Sequence, residues 1–223
     1  MCETFDFPRD LRGCAVSIGN FDGVHRGHAE ILRRMKATGR PVVALTFSPH
    51  PRCVLQHESA PALLTWDERK VRLLERLGAD WVVICPAEKI LGLSPEDFFQ
   101  KILIEKLGIS ALIEGPDFRF GKGRRGDSTL LETLCRRAGV SLEIVPFVVV
   151  NGEQVSSSRI RNLLDRGQVE KANEMLCESY RIRGRVAHGL ARGRKLGFPT
   201  ANLEEIDTLL PADGIYGLSV VLC

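Results

Sequence analysis

The chain has 223 residues, a formal net charge of +3, and 44% apolar and 26% charged residues. A chain of this length can bury a substantial core, and the composition is that of an ordinary globular protein. The charge is too small to indicate nucleic-acid binding through the overall field, and no apolar run approaches the roughly 18 residues of a membrane span.

The N-terminal MCETFDFPRDLRG has no apolar core that could act as a signal peptide. The seven cysteines, at positions 2, 14, 53, 85, 135, 177 and 223, are scattered, with no close pair of the kind zinc or redox motifs use. Free buried thiols in a cytoplasmic protein are the expectation.

In chain order, CAVSI predicts a strand and HAEILRRMKATG a helix ending at Gly39. PVVALTF is a second strand, TWDERKVRLLERLG a helix closed by Gly78, and DWVVIC a third strand. SPEDFFQKILIEKLG reads as a helix with Ser94 as N-cap, Pro95 at its first position and Gly108 after its end. ISALIEG is a fourth strand, DSTLLETLCRRAG a helix, and VSLEIVPFVVV strand-like again. Short apolar strands separated by helices imply a parallel sheet covered on both faces, with ligands at the strands' carboxyl ends. That rule puts GNFDGVHRGH, TFSPHP and EGPDFRFGKGRRGD on one rim. Beyond Cys177 the pattern changes. YRIRGRVAHG alternates with period two, and IYGLSVVLC reads as a further strand, so a β-rich second unit begins near Tyr180.

GNFDGVHRGH, Gly19 to His28, joins a strand to a helix N-terminus through a glycine-containing turn, an arrangement that gathers backbone N–H groups for an anion. It matches neither GxGxxG nor a P-loop. His25 and His28 could donate to a phosphate, or could be helix-start residues satisfied by backbone carbonyls; zinc lacks a third ligand. TFSPHP, taken alone, is a stiff loop exit. EGPDFRFGKGRRGD interleaves Asp117, Phe118 and Phe120 with Arg119, Lys122, Arg124 and Arg125, which suits a solvated loop, a planar ring bearing phosphate, or single-stranded nucleic acid. VSSSRIRNLL offers helix-capping serines joined by two arginines aimed at one spot. Six Lys/Arg and no acid lie between Arg181 and Lys195, where an RNA-binding stripe competes with a phosphate-clasping flap.

Together these segments resemble, in order, the signatures GxFDGxHxGH, TFxPHP, GxDFxFG, (I/V)SSTRIR and GRxLGFPTAN of the bacterial bifunctional riboflavin kinase/FMN adenylyltransferase (FAD synthetase) family. Ser158 replaces the usual threonine of the fourth, and Pro86-Ala87-Glu88 stands where an aromatic-containing turn is usual. The resemblance implies an α/β fold: a Rossmann-like nucleotidyltransferase over residues 1–178, followed by an incomplete riboflavin kinase-like β-barrel over 179–223. It implies transfer of AMP from ATP to FMN, with Mg²⁺ accompanying ATP and no direct protein ligand to the metal in the nucleotidyltransferase.

By the same resemblance, His25, His28 and Arg161 are catalytic, and Gly19, Phe21, Asp22, Gly23, Ser157 and Ser158 bind ATP. Pro49, Pro51, Asp117, Phe118 and Phe120 bind FMN, and Thr200 and Asn202 serve ATP and magnesium in the kinase unit. The partners implied are ATP, FMN and riboflavin. Because the family's kinase domain continues past Cys223, the chain as written is expected to lack riboflavin kinase activity. A different class stays open from the residues alone: an inactive flavin-nucleotide or RNA-binding module.

Overall fold

A computed structural model describes residues 11–51, 54, 62–188 and 200–221. Strand β1 (Ala15–Ile18) leads to helix α1 (Arg26–Ala37), β2 (Val42–Ser48), α2 (Asp67–Arg76) and β3 (Trp81–Pro86). The short α3 (Ala87–Ile90) and α4 (Pro95–Asp97) follow, and α4 runs into a π-helical stretch, Phe98–Leu107. Then come β4 (Ala111–Glu114), α5 (Ser128–Ala138) and β5 (Ser141–Ile144). The five strands form one parallel sheet in the order β3-β2-β1-β4-β5. The alternating strand and helix patterns of the sequence are therefore realised as a covered parallel sheet.

The two-residue period of the strands divides the core. Val43 and Leu45 point to the layer holding Phe98, Leu103, Leu107 and Leu131, whereas Val42 and Ala44 meet Leu32 and Met35 of α1 and Leu74 of α2. Each fully buried leucine contributes about 2 kcal/mol of transfer free energy. Helix ends follow their sequence signals: Ser94 accepts from the Asp97 N–H, and Gly108 and Gly139 close their helices with φ of 59° and 67°. The exception is the winding after Asp97, which is π rather than α. It keeps Phe98, Phe99, Ile102, Leu103 and Leu107 all on the buried side.

A hairpin of β6 (Val149–Val150) and β7 (Glu153–Gln154) precedes α6 (Ser157–Leu164) and α7 (Val169–Met175). These helices share a third apolar cluster with Leu64 and Leu176. The second unit is sparser: β8 (Arg185–Ala187) pairs antiparallel with β9 (Asn202–Glu204). Two expectations need correcting here. The strand predicted from Tyr180 begins only at Arg185, because Tyr180 is anchored sideways, its N–H to Asn173 Oδ1 at 2.7 Å and its hydroxyl to the Leu209 carbonyl at 2.6 Å. Ile215–Val221 carries no strand, and Ile215, Leu218, Val220 and Val221 are exposed; a strand needs a ladder partner, and none faces it among the described residues. GRKLGFP, residues 193–199, lies outside the described residues.

This unit docks on the first through Leu63, which pairs with Thr208 and accepts from the Leu209 N–H at 2.8 Å. Arg183 lies over the Trp66 ring at 5.0 Å and reaches both Glu68 and Asp207. Cys14, Cys85, Cys135 and Cys177 are free thiols; burial pushes Cys85 up to about 12 and the others to about 11. Among the described residues no helix is long and apolar enough to cross a membrane.

Candidate active site

The sheet order changes direction at β1: its chain successor β2 lies on one side and β4 on the other. Such a switch point opens a crevice at the carboxyl ends of the strands. Here the crevice widens into a cavity of about 820 Å³. The loops after β1, β2 and β4 all contribute to its wall, as the strand pattern predicts, and so does the start of α6.

The loop after β1 is held by its own polar groups. Its entry is fixed by the Gly19 N–H donating to the Leu45 carbonyl at 3.0 Å. The chain then turns through positive φ at Phe21 (47°), Gly23 (84°) and Val24 (44°). His25 is the N-cap of α1 and His28 its third residue. The His28 N–H donates to His25 Nδ1 at 3.4 Å, and the His25 N–H donates to His28 Nδ1 at 3.3 Å. This is a reciprocal capping box in which imidazoles do the work usually given to Ser and Glu.

An imidazole nitrogen that accepts a hydrogen bond carries no proton, so the network assigns both rings as neutral Nε2–H tautomers. Both rings therefore present a donor at Nε2. Burial supports the neutral form, pushing His25 down to about 4. His28 is held well below the ordinary histidine value, first by burial and then by His25 and Lys70. The rings stack with centroids 3.6 Å apart, and the Phe21 ring meets His28 edge-on at 5.1 Å. A Cβ at Gly27 would sit 3.1 Å from His25 Cε1 and Nδ1, so the glycine makes room for the capping ring. Both histidines are helix-start residues, and each Nδ1 accepts from a backbone N–H of the other.

Asp22 lies in the same loop but faces inward, 2% exposed. Its carboxylate accepts from the Leu64 N–H at 3.0 and 3.1 Å and from the Thr65 N–H at 3.0 Å, and it pairs with the Arg161 guanidinium. Burial raises its pKa, against the opposing pull of Arg161. Arg161 also donates from Nε to the Ala62 carbonyl at 3.1 Å, and Ser157 Oγ donates to the Asp22 carbonyl at 2.8 Å. Asp22 therefore ties the loop, the Ala62–Thr65 segment and α6 into one body. Ser156 caps α6 by accepting from the Arg159 N–H at 3.1 Å, while Ser157, Ser158 and Arg161 line the cavity.

Across the cavity, Phe118 and Phe120 stack at 5.6 Å with an interplanar angle of 11°. Backbone hydrogen bonds in both directions between Phe120 and Gly126 close this loop at 3.1 and 2.9 Å, and a Cβ at Gly126 would lie 2.6 Å from the Phe120 ring. Asp117, Phe118 and Phe120 are on the wall together with Pro51, whereas Pro49 and Gly23 are not. Gly23 instead packs beneath Leu64 and Leu176. Thr200 and Asn202 are exposed and not among the lining residues. The described residues contain no group of three or more His, Cys, Asp or Glu placed to hold a metal ion.

Sequence reasoning missed Glu114, the last residue of β4. It is 2% exposed, lines the cavity, and accepts from the Ile18 N–H at 2.7 Å. The available signal was a lone carboxylate closing an otherwise apolar strand, ISALIEG.

The family model for FAD synthetase matches residues 7–159, and that for riboflavin kinase matches residues 176–222. The Escherichia coli K12 bifunctional riboflavin kinase/FMN adenylyltransferase is 35% identical over 214 residues, covering 94% of this chain and 68% of that protein. The Pseudomonas fluorescens protein of the same description is 38% identical over 217 residues, with 94% and 68% covered. Among solved structures, a Streptococcus pneumoniae protein described as a macrolide-efflux protein superposes with a TM-score of 0.80 at 30% identity, covering 91% of this chain and 68% of that one. Pantoate-beta-alanine ligase from Francisella tularensis superposes with a TM-score of 0.50 at 13% identity over 75% and 70% of the chains, a likeness of fold alone.

Proposed function

The chain belongs to the bacterial bifunctional riboflavin kinase/FMN adenylyltransferase family, and from that premise we propose how its cavity carries out the reaction. It is an FMN adenylyltransferase, transferring AMP from ATP to FMN to give FAD and pyrophosphate. An oxygen of the FMN phosphate attacks the α-phosphorus of ATP, a new P–O bond forms, and the bond to the bridging β-phosphate oxygen breaks. The attacking monoester has a second pKa of about 6 and is largely dianionic at neutral pH, so no general base is required. Catalysis consists of in-line positioning and stabilisation of charge on the α-phosphate and the leaving pyrophosphate.

His25 and His28 supply that stabilisation as Nε2–H donors, with the backbone of Gly19 to Gly23 shaping the turn around the phosphates. Neutral donors fixed before substrate arrives need no reorganisation during reaction. Ser157, Ser158 and Arg161 hold the β- and γ-phosphates at the start of α6. The Asp22 carboxylate serves by fixing Arg161 rather than by touching phosphate. Pro51, Phe118 and Phe120 offer flat apolar surface to the isoalloxazine ring, with Asp117 at its polar edge; Pro49 stiffens the turn before Pro51. Mg²⁺ would come with ATP, held by phosphate oxygens and water, a mode that fits a cavity edged by serines and arginine. Bound there, it would neutralise charge on the polyphosphate.

We divide the chain near residues 178 and 179, with Thr200 and Asn202 assigned to the kinase unit's nucleotide. ATP, FMN and riboflavin are the proposed small-molecule partners, in a cytoplasmic protein. The single observation carrying the reading is the reciprocal pairing of His25 and His28 at the head of α1, which directs the Nδ1 of each ring to a backbone N–H. The test is chromatographic: the chain with Mg²⁺ and ATP is incubated with FMN. FAD is the expected product, and its absence while FMN still binds would leave only a flavin-nucleotide binding module. A parallel incubation with riboflavin reads kinase activity.

A further inference from the structure

The sheet splits at one defined place. The β1–β2 ladder runs through Ile18 with Leu45, and the β4–β5 ladder through Glu114 with Ile144. Between them, the β1–β4 ladder stops at Val16 with Leu112. Beyond that pair the Ile18 N–H has lost its strand partner on the β4 side. The Glu114 side chain fills the gap, its Oε1 accepting from that N–H at 2.7 Å while Oε2 lies 3.4 Å from Ser17 Oγ. Ile18 is followed directly by Gly19, where the phosphate loop begins.

We propose that Glu114 is a positioning residue for adenylyl transfer: its carboxyl group replaces the missing strand partner of β1 and fixes the root of the Gly19–His28 loop. This rests on the assignment of the cavity to adenylyl transfer. Both substrates are phosphate anions, and a full negative charge at this place would repel them. Glu114 forms no ion pair among the described residues, and the charged group acting on it is Asp117 of the adjoining loop, which also disfavours ionisation. The Cys135 thiol of α5 is the other titratable group coupled to it, and Ser17 faces it from β1. Burial is the largest influence and holds the carboxyl well above its usual range, against the opposing pull of the hydrogen bonds it accepts from Ile18 and Ser17.

Two substitutions separate the elements of the proposal. Glu114→Gln keeps an oxygen acceptor for the Ile18 N–H and is permanently neutral; Glu114→Val removes the acceptor and leaves that N–H unpaired. The expectation is that Gln supports FAD formation at close to the wild-type kcat, while Val lowers kcat at least tenfold. As pH is raised, the wild-type dissociation constants for ATP and FMN, measured by calorimetry, should rise by about tenfold as Glu114 ionises. With Glu114→Gln that rise should be lost. A Gln variant that fails like Val, or one that retains the alkaline loss of binding, would overturn the proposal. If Val does not fold, the comparison of Gln with wild type still decides it. Wild type that binds both nucleotides but makes no FAD would instead overturn the assignment of the reaction, and the pH dependence of binding would still test Glu114.

Discussion

The loops after β1 and β4 face each other across one cavity and are built on different principles. In the β1 loop the polar side chains are fixed by internal partners. His25 and His28 cap each other's backbone, and Asp22 gathers two N–H groups and a guanidinium. The β4 loop is closed by one backbone pair, Phe120 with Gly126, and organised by a stack of two aromatic rings. Its cations are largely exposed; Arg119 reaches Asp127 at 3.3 Å with half its side chain in solvent. Phosphate transfer needs donors at fixed points before the substrate arrives, whereas a flat heterocycle needs a surface and tolerates adjustable charge. The contrast predicts that polar deletions in the first loop cost both stability and rate, and that those in the second change mainly flavin affinity.

The strongest challenge to the fixed loop is Arg161→Ala. It strands the buried Asp22 carboxylate, and removal of one partner from such a pair costs about 3–5 kcal/mol. FAD formation should fall by at least a hundredfold, and denaturant titration should report the lost stability. Retention of wild-type stability would mean that Asp22 is not held as described. His28→Ala removes one donor and half of the capping box, and should lower kcat by roughly 10²–10³ with KM for FMN little changed in steady-state assays.

Gly27→Ala is more discriminating. Glycine to alanine inside a helix ordinarily gains about 1 kcal/mol. Here the new methyl meets the His25 ring at 3.1 Å. A loss of kcat of about tenfold is expected, without the stability gain, and thermal unfolding beside kinetics checks both. Phe118→Ala, in the opposite loop, should raise KM for FMN by about tenfold and leave melting nearly unchanged; a large fall in kcat would erase the distinction between the loops.

A further prediction concerns the pH dependence of stability. His25 is depressed from 6.5 to about 4 in the folded protein, so the unfolded chain binds more protons between those values. Its contribution is complete above pH 6.5 and is lost progressively as pH falls towards 4. Titration of unfolding free energy in that window should show stability falling with acid, and His25→Asn should flatten the slope.

The sheet and its rim were legible because apolar runs, helix caps and glycine stops are local signals, and parallel strands constrain where loops emerge. Residue type in a motif did not reveal direction. The motif contains Asp22, but only the fold shows its carboxylate committed to Leu64, Thr65 and Arg161. Glu114 was illegible for a related reason: its partner, the Ile18 N–H, is 96 residues away in sequence, and the need for it arises only where two ladders part. The β-rich unit was read least well. Strand patterning at Tyr180 and Ile215 says that a segment can pair, while pairing itself depends on a neighbour.

The central claim is that two neutral imidazoles, each protonated at Nε2, stand ready at the head of α1. The most direct test is long-range ¹⁵N–¹H correlation NMR on histidine-labelled protein at neutral pH, assigned with His25→Asn and His28→Asn variants. The account predicts an unprotonated nitrogen at Nδ1 and a protonated one at Nε2 for both rings, unchanged as pH is lowered to 6. Protonation at Nδ1 in either ring, or a doubly protonated ring at pH 7, would contradict it.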